Sequence, residues 1–202
     1  MLLEAKGTRV EFGFSFVLVV TLMLLFSDQR IVLLSVLSSL LHECGHLFMM
    51  KLFGEKIERI IFGAFGVRIE KLSFSSLSYK KEIAVSLGGI IANFVLFLIS
   101  FIIYIIFHLH SALIFAIINV LVAFMNSLPL KSLDMGRVLK LFLMMKWGEE
   151  RTQKITSLIS LIFFLVFSAF TALYCAFINV NFSLIAVAIY LLTETELKIY
   201  GQ

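Results

Sequence analysis

Proline is almost missing from this chain: it occurs once, at Pro129. Cysteine occurs twice, at Cys44 and Cys175, each inside an apolar run, which speaks against a disulfide between them. Charge is scarce too, at 15% of 202 residues, and acidic side chains within the apolar runs are scarcer still. With 61% hydrophobic residues and a mean hydropathy of +1.06, a soluble domain of this size is excluded. No internal repeat or low-complexity segment is visible, and the paired broken helices of a two-halved transporter are missing.

What remains is an all-α polytopic membrane protein, expected as a single membrane-embedded domain over residues 1–202, with the lipid bilayer as its surroundings. About six transmembrane helices fit, over residues 10–27, 31–53, 83–108, 111–145, 155–178 and 181–193. No small-residue cleavage site follows the first of them, so it reads as a retained span and not a signal peptide. The first and last are short for a bilayer of about 30 Å, which calls for tilting or local thinning. The fourth is too long for one straight helix, and Pro129 is expected to break or kink it. Broken backbone at that depth is tolerated only where protein or a watery cavity satisfies it, so the break suggests a site.

The net charge of +4 raises the question of nucleic acid. The basic residues, however, collect in loops between apolar runs, which is a topology signal, and no nucleic acid partner is expected. With the N-terminus in the cytoplasm, 16 of the 17 Lys and Arg fall in cytoplasmic segments and only Arg30 lies outside. Both termini are then cytoplasmic. Between the second and third spans, residues 57–62 and 67–70 form short β-type runs around Gly63 and Gly66. They suggest a small hairpin between helices two and three: an ordinary loop, or a strand edge that a peptide can join.

Inside the second span stands His42-Glu43-Cys44-Gly45-His46, an H-E-x-x-H signature of zinc hydrolases. Residues four apart share a helix face, so His42 and His46 can grip one ion. Glu43 beside them can take the proton of an attacking water. Cys44, at an x position, reads as a small packing residue. A catalytic zinc needs a third protein ligand, an Asp, Glu or His elsewhere in the membrane. Asp134 stands out, since a carboxylate there needs a cation or metal partner. The bland alternative for the triad of polar residues is satisfaction by neighbouring helices.

The order H-E-x-x-H, then Gly89-Ile90-Ile91-Ala92-Asn93, then Asn126-Ser127-Leu128-Pro129 leading to Leu133-Asp134-Met135-Gly136, resembles the site-2 protease family of intramembrane zinc metalloproteases. The likeness covers roughly residues 31–145. The compact size resembles the bacterial branch that includes the stage IV sporulation protease, which matures a sporulation sigma factor. The resemblance implies zinc (Zn2+) held by His42, His46 and Asp134, with Glu43 as general base. It implies a multi-pass protein of a bacterial cell membrane that hydrolyses a peptide bond in or near a transmembrane segment of a membrane-bound substrate. A regulatory factor would be released to the cytoplasm, in a sporulation role or another stress response, and a regulatory membrane partner is possible.

Two positions depart from the family pattern. Ile90 replaces the usual Pro, and Met135 replaces the usual Gly after the metal-binding Asp, where its bulk narrows the space near the metal. No PDZ or CBS domain is expected. Asn93 and Asn126 are candidates for holding substrate backbone or a developing oxyanion, although an amide in a membrane helix more often bonds across helices. Arg137 is expected to snorkel to the cytoplasmic surface, the alternative being a pair with a carboxylate, and Gly88 and Gly89 to let helices approach closely. The competing readings are a metal transporter, whose activity need not depend on Glu43, and a catalytically inactive scaffold.

Overall fold

The computed structural model describes residues 2–5, 8–55, 57–63, 66–71, 77–131 and 133–177. The chain divides into two compact units, residues 1–126 and 127–202. In the first, the order is β1 (Leu2–Ala5), β2 (Thr8–Phe12), α1 (Phe14–Phe26), α2 (Gln29–Leu52), β3 (Ile57–Gly63), β4 (Gly66–Lys71), α3 (Tyr79–Phe107) and α4 (His110–Asn126). The second holds α5 (Asp134–Trp147) and α6 (Glu149–Phe177).

Each helix of the first unit ends for a local reason. The Asp28 carboxylate accepts from the backbone N–H of Arg30 at 2.9 Å and of Ile31 at 3.1 Å, capping α2. Gly54, at φ 74°, lets the chain leave that helix in the left-handed region. His108 adopts φ 52° at the end of α3, and the chain reverses at once into α4.

The mostly helical molecule carries one four-stranded sheet in the order β1-β2-β3-β4. The hairpin expected between the second and third helices is there, as antiparallel β3 and β4. The first expected span, 10–27, is corrected at its start. Residues 8–12 form β2, which pairs antiparallel with β1 and parallel with β3, and the helix begins at Phe14. Arg9 and Arg59 share one row of the sheet, with Arg59 Nε 3.5 Å from the Glu11 carboxylate. Val10, Ile60 and Ile69 share the next row. Gly13 carries the sheet into α1: its N–H donates to the Phe62 carbonyl at 2.9 Å, and an added Cβ would lie 2.8 Å from that oxygen. The Phe16 and Phe62 rings meet at 5.5 Å between centroids, seating α1 on the sheet.

The bundle of α2, α3 and α4 is built inside out relative to a soluble core. Its buried positions include Ser38, His42, His46, Ser86, Gly88, Gly89, Asn93 and Asn119. Its large apolar side chains, among them Phe48, Phe107 and Phe124, stand exposed. Lipid supplies no hydrophobic drive between helices, so they associate through small residues and polar contacts. Gly45 and Gly88 set the closest approach. A Cβ on Gly45 would lie 2.5 Å from the Gly88 carbonyl oxygen, and one on Gly88 would lie 2.8 Å from that of Gly45.

The chain is a multi-pass membrane protein, and three helices are long and apolar enough to cross: Gln29–Leu52, Tyr79–Phe107 and Glu149–Ala172. Helices α1, with 13 residues, and α4, with 17, reach only about 20 and 26 Å at 1.5 Å per residue. The expected fourth span is two helices, α4 and α5, and the segment between them contains Pro129. The expected fifth span begins earlier than the sequence suggested, at Glu149. The expected sixth, 181–193, lies outside the described residues.

Gly45→Ala tests the crossing of α2 and α3. The methyl meets backbone, which cannot swing aside, so we expect a loss of about 1–3 kcal/mol and a lower thermal midpoint in detergent. Cys44→Ala, at the adjacent exposed position, is expected to unfold with the wild type.

Candidate metal centre

The sequence places two histidines four residues apart on α2, and the helix turns both rings into the bundle. His42 is 5% exposed and His46 8%. Their rings stand nearly perpendicular, at 87°, with centroids 4.8 Å apart. The two Nε2 atoms face each other at 3.2 Å.

The opposite nitrogen of each ring is held by an acceptor on α3. His46 Nδ1 lies 2.8 Å from the Val85 carbonyl oxygen, and His42 Nδ1 lies 2.5 Å from the Asn93 side-chain oxygen. A carbonyl only accepts, so Nδ1 carries the proton in His46, and with Asn93 placed this way it does so in His42 as well. Both Nε2 atoms then present lone pairs to the same small space. Two lone pairs at 3.2 Å repel unless a cation lies between them. Tetrahedral zinc, with bonds of about 2.0–2.1 Å to histidine, separates its nitrogens by about 3.3 Å, so the pair fits such an ion.

Gly89 keeps that space open. A Cβ there would stand 2.5 Å from His46 Nε2 and 2.6 Å from His42 Nε2. The sequence assigned Gly88 and Gly89 alike to helix packing. Gly88 does meet α2, but Gly89 fronts the two ring nitrogens. The signal was its place four residues before Asn93, on the same helix face.

Asn93 is fully buried. Its amide group donates to Ser38 Oγ at 3.0 Å and to the Asn119 side-chain oxygen at 2.8 Å. Both amide hydrogens are thereby used within the bundle. Asn93 thus bonds across helices, its oxygen facing His42 and its amide nitrogen facing Ser38 and Asn119. Ser38 and Asn119 were not singled out from the sequence. Asn119 was a lone polar residue within an apolar stretch of α4, and Ser38 one of three serines, with Ser35 and Ser39, in α2.

Glu43 follows His42 on α2 and is half-buried. Cys44 is exposed, so it is not the packing residue expected at that position. Asn126 ends α4, half-buried, with its amide nitrogen donating to the Val122 carbonyl at 3.0 Å.

In the second unit, Asp134 is half-buried at the first position of α5, after Leu133 in extended backbone. The preceding segment turns tightly, with Leu133 N–H donating to the Leu130 carbonyl at 2.9 Å. Gly136 is buried, and an added Cβ would run into the Leu130 carbonyl oxygen. The small residue that this turn requires is thus Gly136, one position after Met135, which is itself half-buried. Arg137 is exposed.

No family model matches the chain. It is similar to the stage IV sporulation protein FB of Bacillus subtilis, 26% identical over 74% of this chain and 52% of that protein. It is also similar to a zinc metalloprotease of Methanocaldococcus jannaschii, 22% identical over 98% of this chain and 60% of that one. The chain thus spans little more than half the length of these curated relatives. Among solved structures, the site-2 protease from Methanocaldococcus jannaschii superposes with a TM-score of 0.72, at 21% identity, over the whole of this chain and 96% of that one. The fold is that of the site-2 proteases, and the motifs and relatives resemble the same family.

Gly89→Ala is expected to abolish metal retention while leaving helix content unchanged. We expect divalent-metal affinity to fall about tenfold or more in chelator competition, since the methyl takes the place of an ion bonded to both rings. Unchanged affinity would show that the metal does not sit where the two Nε2 atoms point.

Proposed function

We propose that this chain, which has the site-2 protease fold, is an intramembrane zinc metalloendopeptidase. The observation that carries the reading is the pair of Nε2 atoms 3.2 Å apart on an H-E-x-x-H helix, each ring oriented through its Nδ1. His42, His46 and Asp134 hold the zinc, and Glu43 is the general base. Two imidazoles leave the ion one protein ligand short, and Asp134 is an acidic residue that an N-x-x-P segment delivers to a helix start. The name of the Methanocaldococcus relative supports both the metal and the reaction.

The zinc supplies Lewis acidity, polarising the scissile carbonyl and making water more acidic. The rest falls to the chain. Glu43 accepts the proton of the attacking water and passes it to the leaving amine. Asn126 has one amide hydrogen committed to Val122; the other is the donor proposed for substrate backbone or the developing oxyanion. Helical amides are shielded by their own hydrogen bonds, so the substrate must unwind before cleavage. Strand β4, at the sheet edge, offers backbone groups that an extended segment can join.

The substrate is a membrane-bound protein cut in or near its transmembrane segment, and the product is a regulatory factor released to the cytoplasm. The distribution of Lys and Arg supports cytoplasmic termini and about six spans. A bacterial cell membrane, a sporulation role, a regulatory membrane partner and a single catalytic domain over residues 1–202 complete the reading. The likeness to the Bacillus protein supports the bacterial membrane and the sporulation role.

Two substitutions separate binding from chemistry. Glu43→Gln is expected to keep zinc and lose cleavage of a membrane substrate by about 10²–10⁴-fold. Asp134→Ala is expected to lose both. Cleavage that survives Glu43→Gln would defeat the protease reading, and metal flux that survives it would favour transport. Zinc retained in Asp134→Ala would mean that the third ligand lies elsewhere.

A further inference from the structure

Three polar side chains that meet no metal form a chain of hydrogen bonds ending at His42. Asn119 Nδ2 donates to the Phe115 carbonyl oxygen, one turn earlier on α4, at 2.8 Å. A backbone carbonyl can only accept, so this bond fixes which end of the Asn119 amide is nitrogen. The Asn119 oxygen must then face Asn93, where it accepts from Nδ2 at 2.8 Å. Ser38 agrees with that polarity, accepting from Asn93 Nδ2 at 3.0 Å and donating to the Asn119 oxygen at 3.0 Å. Asn93 is left with its oxygen toward His42 Nδ1. Ser38, Asn93 and Asn119 are all fully buried, so no water competes for these positions.

We propose that Asn119, with Ser38, is a positioning residue that sets the tautomer of His42 through Asn93. The inference rests on His42 being a zinc ligand. A side-chain amide is symmetrical in shape and can turn over by 180°. Turned over, Asn93 would offer N–H to His42 Nδ1, the ring proton would move to Nε2, and the nitrogen meant for the metal would carry hydrogen. Asn119 forbids that state, because two oxygens would then face each other with no proton between them. His46 needs no such relay, since the Val85 carbonyl fixes it directly. The two ligands are thus secured differently: one by backbone, the other by an amide whose direction is borrowed from a third helix.

The test reads the histidine tautomers by nitrogen NMR of zinc-free protein at alkaline pH, which is tractable with four histidines in the chain. Wild type is expected to show the Nδ1–H form at both His42 and His46. Asn119→Leu is expected to give a mixture at His42 alone, with zinc affinity about 10–100-fold lower. Adding Asn93→Asp to Asn119→Leu is expected to restore the Nδ1–H form, because a carboxylate accepts in either orientation. His42 unchanged in Asn119→Leu with zinc affinity within about twofold would overturn the proposal. So would equal disturbance of both histidines, or a double variant that keeps the mixture at His42. If Asn119→Leu does not fold, Asn119→Ala, which also removes the amide, carries the same test. A wild type that binds no zinc yet shows these tautomers would defeat the zinc reading and leave the relay standing.

Discussion

Two imidazole rings in a lipid-embedded bundle can serve a metal only if each is told which nitrogen keeps its proton. The Val85 carbonyl and the Asn93 side-chain oxygen give that instruction, and both come from α3. The packing of α2, α3 and α4 serves this arrangement. The α2–α3 crossing must be close for an imidazole on one helix to reach a carbonyl on the other, and the facing Gly45 and Gly88 permit it. Gly89 then leaves room on the far side of the rings. A polar interior would be a liability in water-free surroundings if any of it were unsatisfied. Here the buried amides and the Ser38 hydroxyl satisfy one another while orienting His42, whereas the buried Ser86 hydroxyl has no hydrogen-bond partner among the described residues.

The sheet and the short first helix belong to a different boundary. At 13 residues α1 cannot span a full hydrocarbon layer, and its start is tied to β3 through Gly13. The sheet alternates a row holding Arg9 and Arg59 with a row of Val10, Ile60 and Ile69. That alternation suits a surface with water on one side and apolar matter on the other. It also leaves two edges, of which β4 directly precedes the connection to α3.

The sequence showed some of this plainly and hid the rest for physical reasons. The spacing of His42 and His46 was readable because the helix period alone puts them on one face. The break at Pro129 was readable because proline cannot continue a helix. The β1 and β2 strands were missed because five residues of mixed charge and apolarity look like the ragged start of a span. Asn93 was recognised as buried polar, but its partners were not. A sequence shows that an amide needs partners without showing which helix face meets which. Asn119 stood alone in an apolar run and Ser38 stood among three serines, and only the packing reveals that these two touch. At the turn before α5, attention fell on Met135, whereas the backbone demands the small residue at Gly136.

The most direct test of the account is X-ray absorption at the zinc edge on the detergent-purified wild type. The account expects two imidazole nitrogens at about 2.0–2.1 Å, oxygen donors filling the remaining positions, and no sulfur. A sulfur shell at about 2.3 Å, or a spectrum without two imidazoles, would contradict it.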